Sequence, residues 1–221
     1  GLCLSGCEQE TTNKALEADL RKLCPNLADT IFVGSDTIGS LSTACRNGGV
    51  IVISGTAFWI ASRAVKTLFD DEDNLCEAPH SPALLRKLIF EHFNLEDRFG
   101  MLPHFYSHFD KQHFASLTAK ISKAASSGDE LCIHLMKEAG YHLGRHVSSL
   151  SRNMDPVMFD TQRGLEVVCS GSVFKSWDLL KPGFVEGIKP RHQKDIDIPR
   201  YTLLRLEVYK FKYSTKHLRT K

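Results

Sequence analysis

Apolar and polar positions in the first 55 residues follow an order that predicts strands and helices in turn. Short apolar, often β-branched runs predict strands, and apolar residues at helical spacing predict helices. The predicted strands are 1–5, 30–34 and 50–54, and the predicted helices are 8–24 and 37–44. A β-α-β-α-β order of this kind favours an α/β fold with helices packed on a sheet.

The next hundred residues show a different pattern, in which apolar positions recur every three or four residues. This spacing predicts four helices, at 57–69, 82–93, 111–125 and 130–151. Between the last two, the sequence Ser-Ser-Gly-Asp at 126–129 combines a helix stop with a new N-cap. We therefore expect residues 57–155 to form a mainly helical part.

Strand character returns in the last part of the chain. A strand is predicted at 165–169, followed by a glycine turn and a helix at 173–180 that Pro182-Gly183 should end. A last strand is predicted at 201–208. The final thirteen residues, 209–221, carry four Lys and one Arg. The pattern predicts one α/β lobe over 1–208 and a loosely ordered basic tail.

The composition is that of an ordinary folded protein, with 42% hydrophobic and 24% charged residues and a net charge of +2. These values exclude extensive disorder, and no apolar run reaches the ~18–20 residues of a membrane span. A pI near 8.2 with interspersed charges argues against a dedicated nucleic-acid binder. We expect neither nucleic acid nor a membrane as a partner.

Seven cysteines are scattered along the chain without any C-x-x-C pair. This spacing argues against a zinc ribbon or finger, and the length of the domain argues against a disulfide framework. The first residues lack the basic n-region of a secretion signal. We therefore expect reduced thiols and a cytoplasmic location.

Three predicted strand ends carry polar residues, where open α/β sheets bind their ligands. Asp36 follows the second strand, either as an N-cap of the next helix or as a general base. The Ser-Gly-Thr turn at 54–56 and the Ser-Gly-Ser turn at 170–172 could each hold a phosphate, or be ordinary turns.

Histidines suggest no separate chemistry. His142 and His146 are spaced i, i+4, as in some metal sites, but no Glu follows His142, so no metal site is predicted. His104, His108 and His113 stand among aromatic residues, where packing and backbone hydrogen bonds explain them.

The order of these strand ends resembles the larger lobe of the superfamily of sugar kinases, actin and the heat-shock chaperone ATPases. More closely, the chain is similar to the eukaryotic N-acetyl-D-glucosamine kinases over about 1–208. The segments that carry the resemblance are GLCLSG (1–6), SDTIGS (35–40), GGVIVISGT (48–56), WIA (59–61), AVK (64–66), DNL (73–75), APH (78–80), HFDK (108–111), LGRH (143–146) and GSVFKSW (171–177).

The resemblance implies a ribonuclease H-like fold of the actin-like ATPase type: a C-terminal lobe with a central mixed sheet and a large helical insertion. It implies ATP-dependent phosphorylation of the 6-hydroxyl of N-acetylglucosamine, in amino-sugar salvage, with Mg²⁺ and as a homodimer. Asp36 would be the catalytic base and would bind the sugar. The ATP-binding positions would be Thr56, Ala115, Ser172 and Ser176.

Three departures from that family's pattern lead us to expect an incomplete and nearly inactive form. The glycine-rich first phosphate loop has no counterpart here. A glycine-rich stretch that should follow Thr56 is replaced by Ala57-Phe58-Trp59, and an adenosine motif expected after Val208 is replaced by Tyr209-Lys210-Phe211. The alternatives are a non-catalytic binding or dimerisation module, and an activator-type ATPase of the same superfamily carrying an iron–sulfur cluster.

Overall fold

The computed structural model describes residues 2–4, 7–45, 49–53, 55–160, 162, 164–190, 198 and 201–206. The predictions for Ser54, for the end of the last strand and for the tail at 209–221 lie outside these residues. Within them, no helix combines the length and the apolar character needed to cross a membrane.

The strands form two separate parallel sheets. They are β1 (Leu2–Leu4), β2 (Val33–Ser35), β3 (Val50–Ile53), β4 (Leu165–Ser170) and β5 (Tyr201–Leu206). β1 pairs with β2, and β3, β4 and β5 form a three-stranded sheet in that order. The expected single mixed sheet is therefore wrong for the described residues, where every pairing is parallel.

The helices confirm the predicted alternation and the helical middle of the chain. They are α1 (Glu10–Leu23), α2 (Asp36–Ala44), α3 (Thr56–Glu72), α4 (Ala83–Phe93), α5 (Leu102–Phe105), α6 (Lys111–Ser126), α7 (Glu130–Leu150) and α8 (Trp177–Gly187). Short 3-10 helices cover Arg98–Met101, Ser151–Asn153, Pro156–Met158 and Ser172–Ser176. Arg98–Met101, Pro156–Met158 and α5 were not predicted, because each spans only one turn.

The hydrophobic core lies where the helical part meets β4. Ile60 and Leu68 of α3, Phe114 of α6 and Phe184 of α8 are all fully buried. In β4, Leu165 and residues 167–169 are buried as one nearly continuous apolar run. Such a run is typical of a parallel strand covered on both faces.

Side-chain caps fix the starts of two core helices, α6 and α7. The Asp110 carboxylate accepts hydrogen bonds from the backbone N–H groups of Gln112 and His113 at the start of α6. Asp129 accepts from the N–H of Cys132 at the start of α7, 2.9 Å away. Gly128 before it has φ of 97°, a conformation that glycine adopts without strain. The predicted stop and N-cap at 126–129 are confirmed.

The helix after β4 does not end at Pro182, as the sequence predicted, but continues to Gly187. Proline lacks the N–H that would bond the carbonyl of Asp178, so the helix loses one hydrogen bond there. Packing against α7 compensates. Gly183 and Gly187 of α8 face α7, and Gly140 and Gly144 of α7 face α8.

These four glycines let the two backbones meet directly. A Cβ at Gly140 would collide with the Leu180 carbonyl, and one at Gly183 would collide with the Lys137 carbonyl. Direct contact of this kind brings Cα–H groups of one helix to carbonyl oxygens of the other, which adds weak hydrogen bonds to the packing. The close approach therefore fixes the position of α8.

The N-terminal elements are buried much less than this core. Helix α1 has no buried residue, although its apolar residues follow helical spacing as predicted. Leu2 and Leu4 of β1 are both exposed. The three-stranded sheet and the helices α3 to α8 therefore contribute most of the buried apolar surface.

All seven cysteines lie within the described residues and are free thiols. Cys45, Cys132 and Cys169 are buried, whereas Cys3, Cys24 and Cys76 are exposed. Burial raises the pKa of the Cys45 thiol to about 11, with the Glu166 carboxylate adding to the effect. Burial also raises the pKa of Cys132, and the capping carboxylate of Asp129 reinforces it.

We predict that Gly140→Ala lowers the free energy of unfolding by about 2 kcal/mol or more, because the new methyl group forces α7 and α8 apart. Chemical denaturation followed by circular dichroism measures this. Gly55→Ala is the matched control, since a Cβ at Gly55 meets nothing within 4 Å. Equal destabilisation by the two substitutions would contradict the close-packing account.

We also predict two kinetic classes of thiols at pH 8. Cys3, Cys24 and Cys76 should react first with iodoacetamide because they are exposed, while the three buried thiols should react only on unfolding. Peptide mapping by mass spectrometry after timed alkylation gives the order. Fast labelling of Cys132 in the folded protein would contradict the described packing.

Candidate functional site

The strands β3 and β4 end level with each other, which brings two predicted phosphate turns to one edge of the sheet. Their register pairs Ile53, the last residue of β3, with Ser170, the last residue of β4. Thr56 begins α3 three residues after Ile53, and Ser172 begins a 3-10 helix two residues after Ser170. This edge is where ligands bind in open parallel sheets.

The turn after β4 depends on glycine. Gly171 has φ of 129°, which a residue with a side chain adopts only with strain. The turn leads directly into the 3-10 helix Ser172–Ser176, whose first side chain is exposed. Ser176 is half-buried, and its hydroxyl lies 2.6 Å from that of Ser122 on α6. Ser54, in the turn after β3, lies outside the described residues.

Helix α6 runs beside both turns. Ala115, one of the predicted ATP-binding positions, is half-buried on this helix. One turn further, the Thr118 hydroxyl donates a hydrogen bond to the carbonyl of Ala57, next to Thr56. Ser122, one turn beyond Thr118, makes the contact to Ser176. Two hydrogen bonds therefore link α6 to Ala57, next to Thr56, and to Ser176.

Asp36 is placed differently from these four residues. It is exposed and is the first residue of α2, following β2 of the two-stranded sheet. The N-cap alternative for Asp36 is wrong, because Ser35 is the cap and its hydroxyl accepts from the Ile38 N–H. Helix α2 contacts strands of both sheets, and Asp36 directly follows β2, which is not a strand of the sheet that contains β3 and β4.

A cavity of about 470 Å³ adjoins Thr56 on the side facing α7. Its walls are the four residues of β3, Trp59 of α3 and one face of α7. The Trp59 and His142 rings meet edge-on there, with their centroids 4.9 Å apart. Its volume is in the range of small-molecule pockets, and its lining is mainly apolar.

The histidine pair of α7 faces this cavity, since both His142 and His146 line it. Within the described part of the chain, no three His, Cys, Asp or Glu side chains are grouped to hold a metal ion. The pair therefore contributes polar ring atoms to the cavity wall and does not by itself form a metal cage.

A second group of histidines lies where the end of α4 meets the start of α6. The rings of His92 and His113 stack at 4.6 Å, and that of His104 lies 6.2 Å from His113. Burial lowers the pKa of His92, and the charges of Lys120, His113 and His104 lower it further. Its hydrogen bond to the His113 carbonyl, 3.0 Å long, acts in the opposite direction. Packing and backbone bonding were expected for this region.

Two residues near the site escaped the sequence prediction. Thr118 and Ser122 are hydroxyl residues within a helix, and their side-chain hydrogen bonds are to residues 61 and 54 positions away in the chain. The only local signal is that they stand one turn apart on a helix that is otherwise buried through Phe114, Leu117 and Ile121. Helical periodicity alone does not say which loop such a face touches.

No protein-family model matches the chain.

We predict that the stability of the protein falls as the pH drops below about 6.5. Because the pKa of His92 is lower in the folded than in the unfolded chain, the unfolded chain binds the proton first. The contribution of His92 is therefore complete above pH 6.5 and is lost progressively below it. The measurement is the melting temperature between pH 5 and pH 8.

His92→Gln should flatten this pH dependence, since glutamine keeps a donor toward the His113 carbonyl without titrating. His108→Gln, at an exposed position outside the stack, is the control and should leave the slope unchanged. An identical slope in the wild type and His92→Gln would show that His92 does not titrate as described.

Proposed function

We propose that the chain is the nucleotide-binding lobe of an N-acetylglucosamine kinase, an enzyme that transfers the γ-phosphoryl group of ATP to the sugar 6-hydroxyl. One observation carries the proposal: Thr56 and the Ser172–Ser176 segment follow adjacent parallel strands that end in register. These positions are also the ATP-binding ones implied by the sequence resemblance.

The geometry suits a polyphosphate at this edge. Thr56 offers a hydroxyl and the start of a helix of 17 residues, and the exposed Ser172 offers a second hydroxyl after the Gly171 turn. Backbone N–H groups at turns and helix starts favour anions. Ala115, at the half-buried surface of α6, would leave room for the nucleoside beside the phosphates.

The chemistry of the transfer would fall to positioning and charge. Asp36, exposed at the start of α2, would accept the proton of the attacking hydroxyl and hold the sugar by the same carboxylate. Magnesium would enter as part of the MgATP substrate, because Mg²⁺ is bound mainly through phosphates and water in kinase sites. The described side chains form no metal cage of their own.

A second candidate function, nucleotide binding without efficient transfer, is favoured by the position of Asp36. It follows a strand of the other sheet, whereas the predicted phosphate turns share the three-stranded sheet. Helix α3 also begins at Thr56 itself, so no loop separates the phosphate turn from the helix. Phosphoryl transfer needs base and phosphate held within a narrow distance, so this arrangement favours binding over turnover.

We predict that MgATP binds the 221-residue chain and raises its melting temperature as the nucleotide concentration increases, because binding to the folded state stabilises it. Isothermal titration calorimetry should give one site per chain. Thr56→Val and Ser172→Ala should each weaken the binding. An unchanged affinity in both variants would remove the proposed site from the β3–β4 edge.

We predict little or no turnover of N-acetylglucosamine and ATP, far below the ~10 s⁻¹ typical of enzymes. A coupled assay for ADP with the purified chain measures it. Any residual rate should fall about 10²–10⁴-fold in Asp36→Asn with MgATP affinity unchanged, because the amide cannot accept the proton.

The matched control for Asp36→Asn is Glu10→Gln, which neutralises the exposed acidic residue that begins α1. It should leave the rate unchanged. Turnover within about tenfold of the ~10 s⁻¹ typical of enzymes would show that the chain is a complete catalyst. Equal losses in the two variants would refute the role of Asp36 as the base.

A further inference from the structure

One face of α6 makes hydrogen bonds to the segments that follow both turns of the candidate nucleotide edge. Thr118 and Ser122 lie four residues apart, one helical turn of about 6 Å along the axis. The first reaches the start of α3 and the second reaches the end of the 3-10 helix Ser172–Ser176. A single rigid element therefore bridges segments that follow β3 and β4.

The contact of Thr118 is a tertiary one. A threonine hydroxyl inside a helix usually bonds the carbonyl four residues before it, here that of Phe114. The Thr118 hydroxyl instead donates to the carbonyl of Ala57, at 2.5 Å. Thr118 is only 6% exposed, so water does not compete strongly for this hydrogen bond. The bond ties α6 to the residue directly after Thr56.

The contact of Ser122 acts on the other turn. Its hydroxyl lies 2.6 Å from the Ser176 hydroxyl, and both residues are half-buried. Ser176 is the last residue of the 3-10 helix and immediately precedes α8. Since α8 is fixed on α7 by the glycine contact, Ser176 is held from two sides.

We propose that Thr118 and Ser122 are positioning residues that hold the Thr56 turn and the Ser172–Ser176 segment at one fixed spacing for a single nucleotide. This proposal rests on the proposed nucleotide site. Its physical basis is preorganisation: two segments already bonded to a rigid helix lose less conformational freedom when a ligand binds across them.

The first test is the affinity of MgATP in position-specific variants. Thr118→Val keeps the shape of the side chain and removes the hydroxyl, and should raise Kd by up to about fivefold, since the value of the one neutral hydrogen bond lost is the upper limit of the effect. Ser122→Ala should act in the same direction. Thr118→Ser restores the hydroxyl and should return Kd to within about twofold of the wild type.

Ser116→Ala is the control on the same helix. Ser116 is exposed, and its hydroxyl donates to the His113 carbonyl on α6 and lies 3.4 Å from the His92 ring on α4. It should leave Kd unchanged. If Thr118→Ser binds as weakly as Thr118→Val, a hydroxyl at this position does not restore the affinity, and the proposal is wrong. Melting temperatures of all variants confirm that the compared proteins are folded.

The second test needs no ligand and separates this proposal from the nucleotide site itself. Amide hydrogen exchange of residues 56–61 should be faster in Thr118→Val, and that of residues 172–176 should be faster in Ser122→Ala. In each case the segment loses its hydrogen bond to α6. Ser116→Ala should change neither. Unchanged exchange in both variants overturns the proposal whatever the affinities are.

The two tests distinguish a failure of the proposed function from a failure of the positioning role. Wild-type protein that shows no MgATP binding refutes the proposed function, and the exchange data then decide whether α6 positions the two turns. Wild-type protein that binds MgATP with equal affinity in Thr118→Val and Ser122→Ala supports the nucleotide site and refutes the positioning role.

Discussion

The close contact between the α7 and α8 backbones is the constraint on which the rest of the structure depends. Gly140 and Gly144 of one helix meet Gly183 and Gly187 of the other, and side chains at these positions would strike backbone carbonyls. The contact holds α8 helical across Pro182 and fixes where the segment after β4 must enter it. The edge formed by β3 and β4 is built on this fixed pair.

From that constraint the site follows in steps. α8 places Ser176, and α6 reaches Ser176 through Ser122 and the start of α3 through Thr118. Parallel pairing of β3 and β4 in register then sets the two turns side by side. Packing and hydrogen bonding thus both position the residues at one sheet edge. Asp36, in contrast, is the first residue of α2 and follows a strand of the other sheet.

Local patterns allowed the elements of this fold to be predicted, but not its long-range geometry. The alternation before residue 55 and the helical spacing after it identified most helices and strands, since period and caps are local properties. The helix was wrongly predicted to end at Pro182, because its packing against α7 outweighs the helix-breaking tendency of proline. That packing depends on Gly140 and Gly144, which lie about 40 residues earlier in the chain. The division into two sheets was missed because pairing is non-local.

For the candidate site too, local features could be predicted from the sequence and tertiary contacts could not. Strand-end residues such as Thr56 and Ser172 could be selected by their place after apolar runs, because ligands bind at the carboxyl ends of parallel strands. Thr118 and Ser122 could not be selected in this way, since the sequence around a hydroxyl residue in a helix does not indicate which distant residue it bonds. The relation of Asp36 to the phosphate turns also depends on sheet assignment, which the sequence pattern left open.

The central claim is that a nucleotide binds at the β3–β4 edge. Photolabelling with 8-azido-ATP tests it more directly than a measurement of affinity, because the label identifies the residues beside the nucleotide. The label should map to peptides covering residues 111–126 or 171–187, since α6 and the segment after β4 flank the edge. It should be displaced by excess MgATP. Displaceable labelling confined to other peptides, such as those of α1 or α4, would contradict the account.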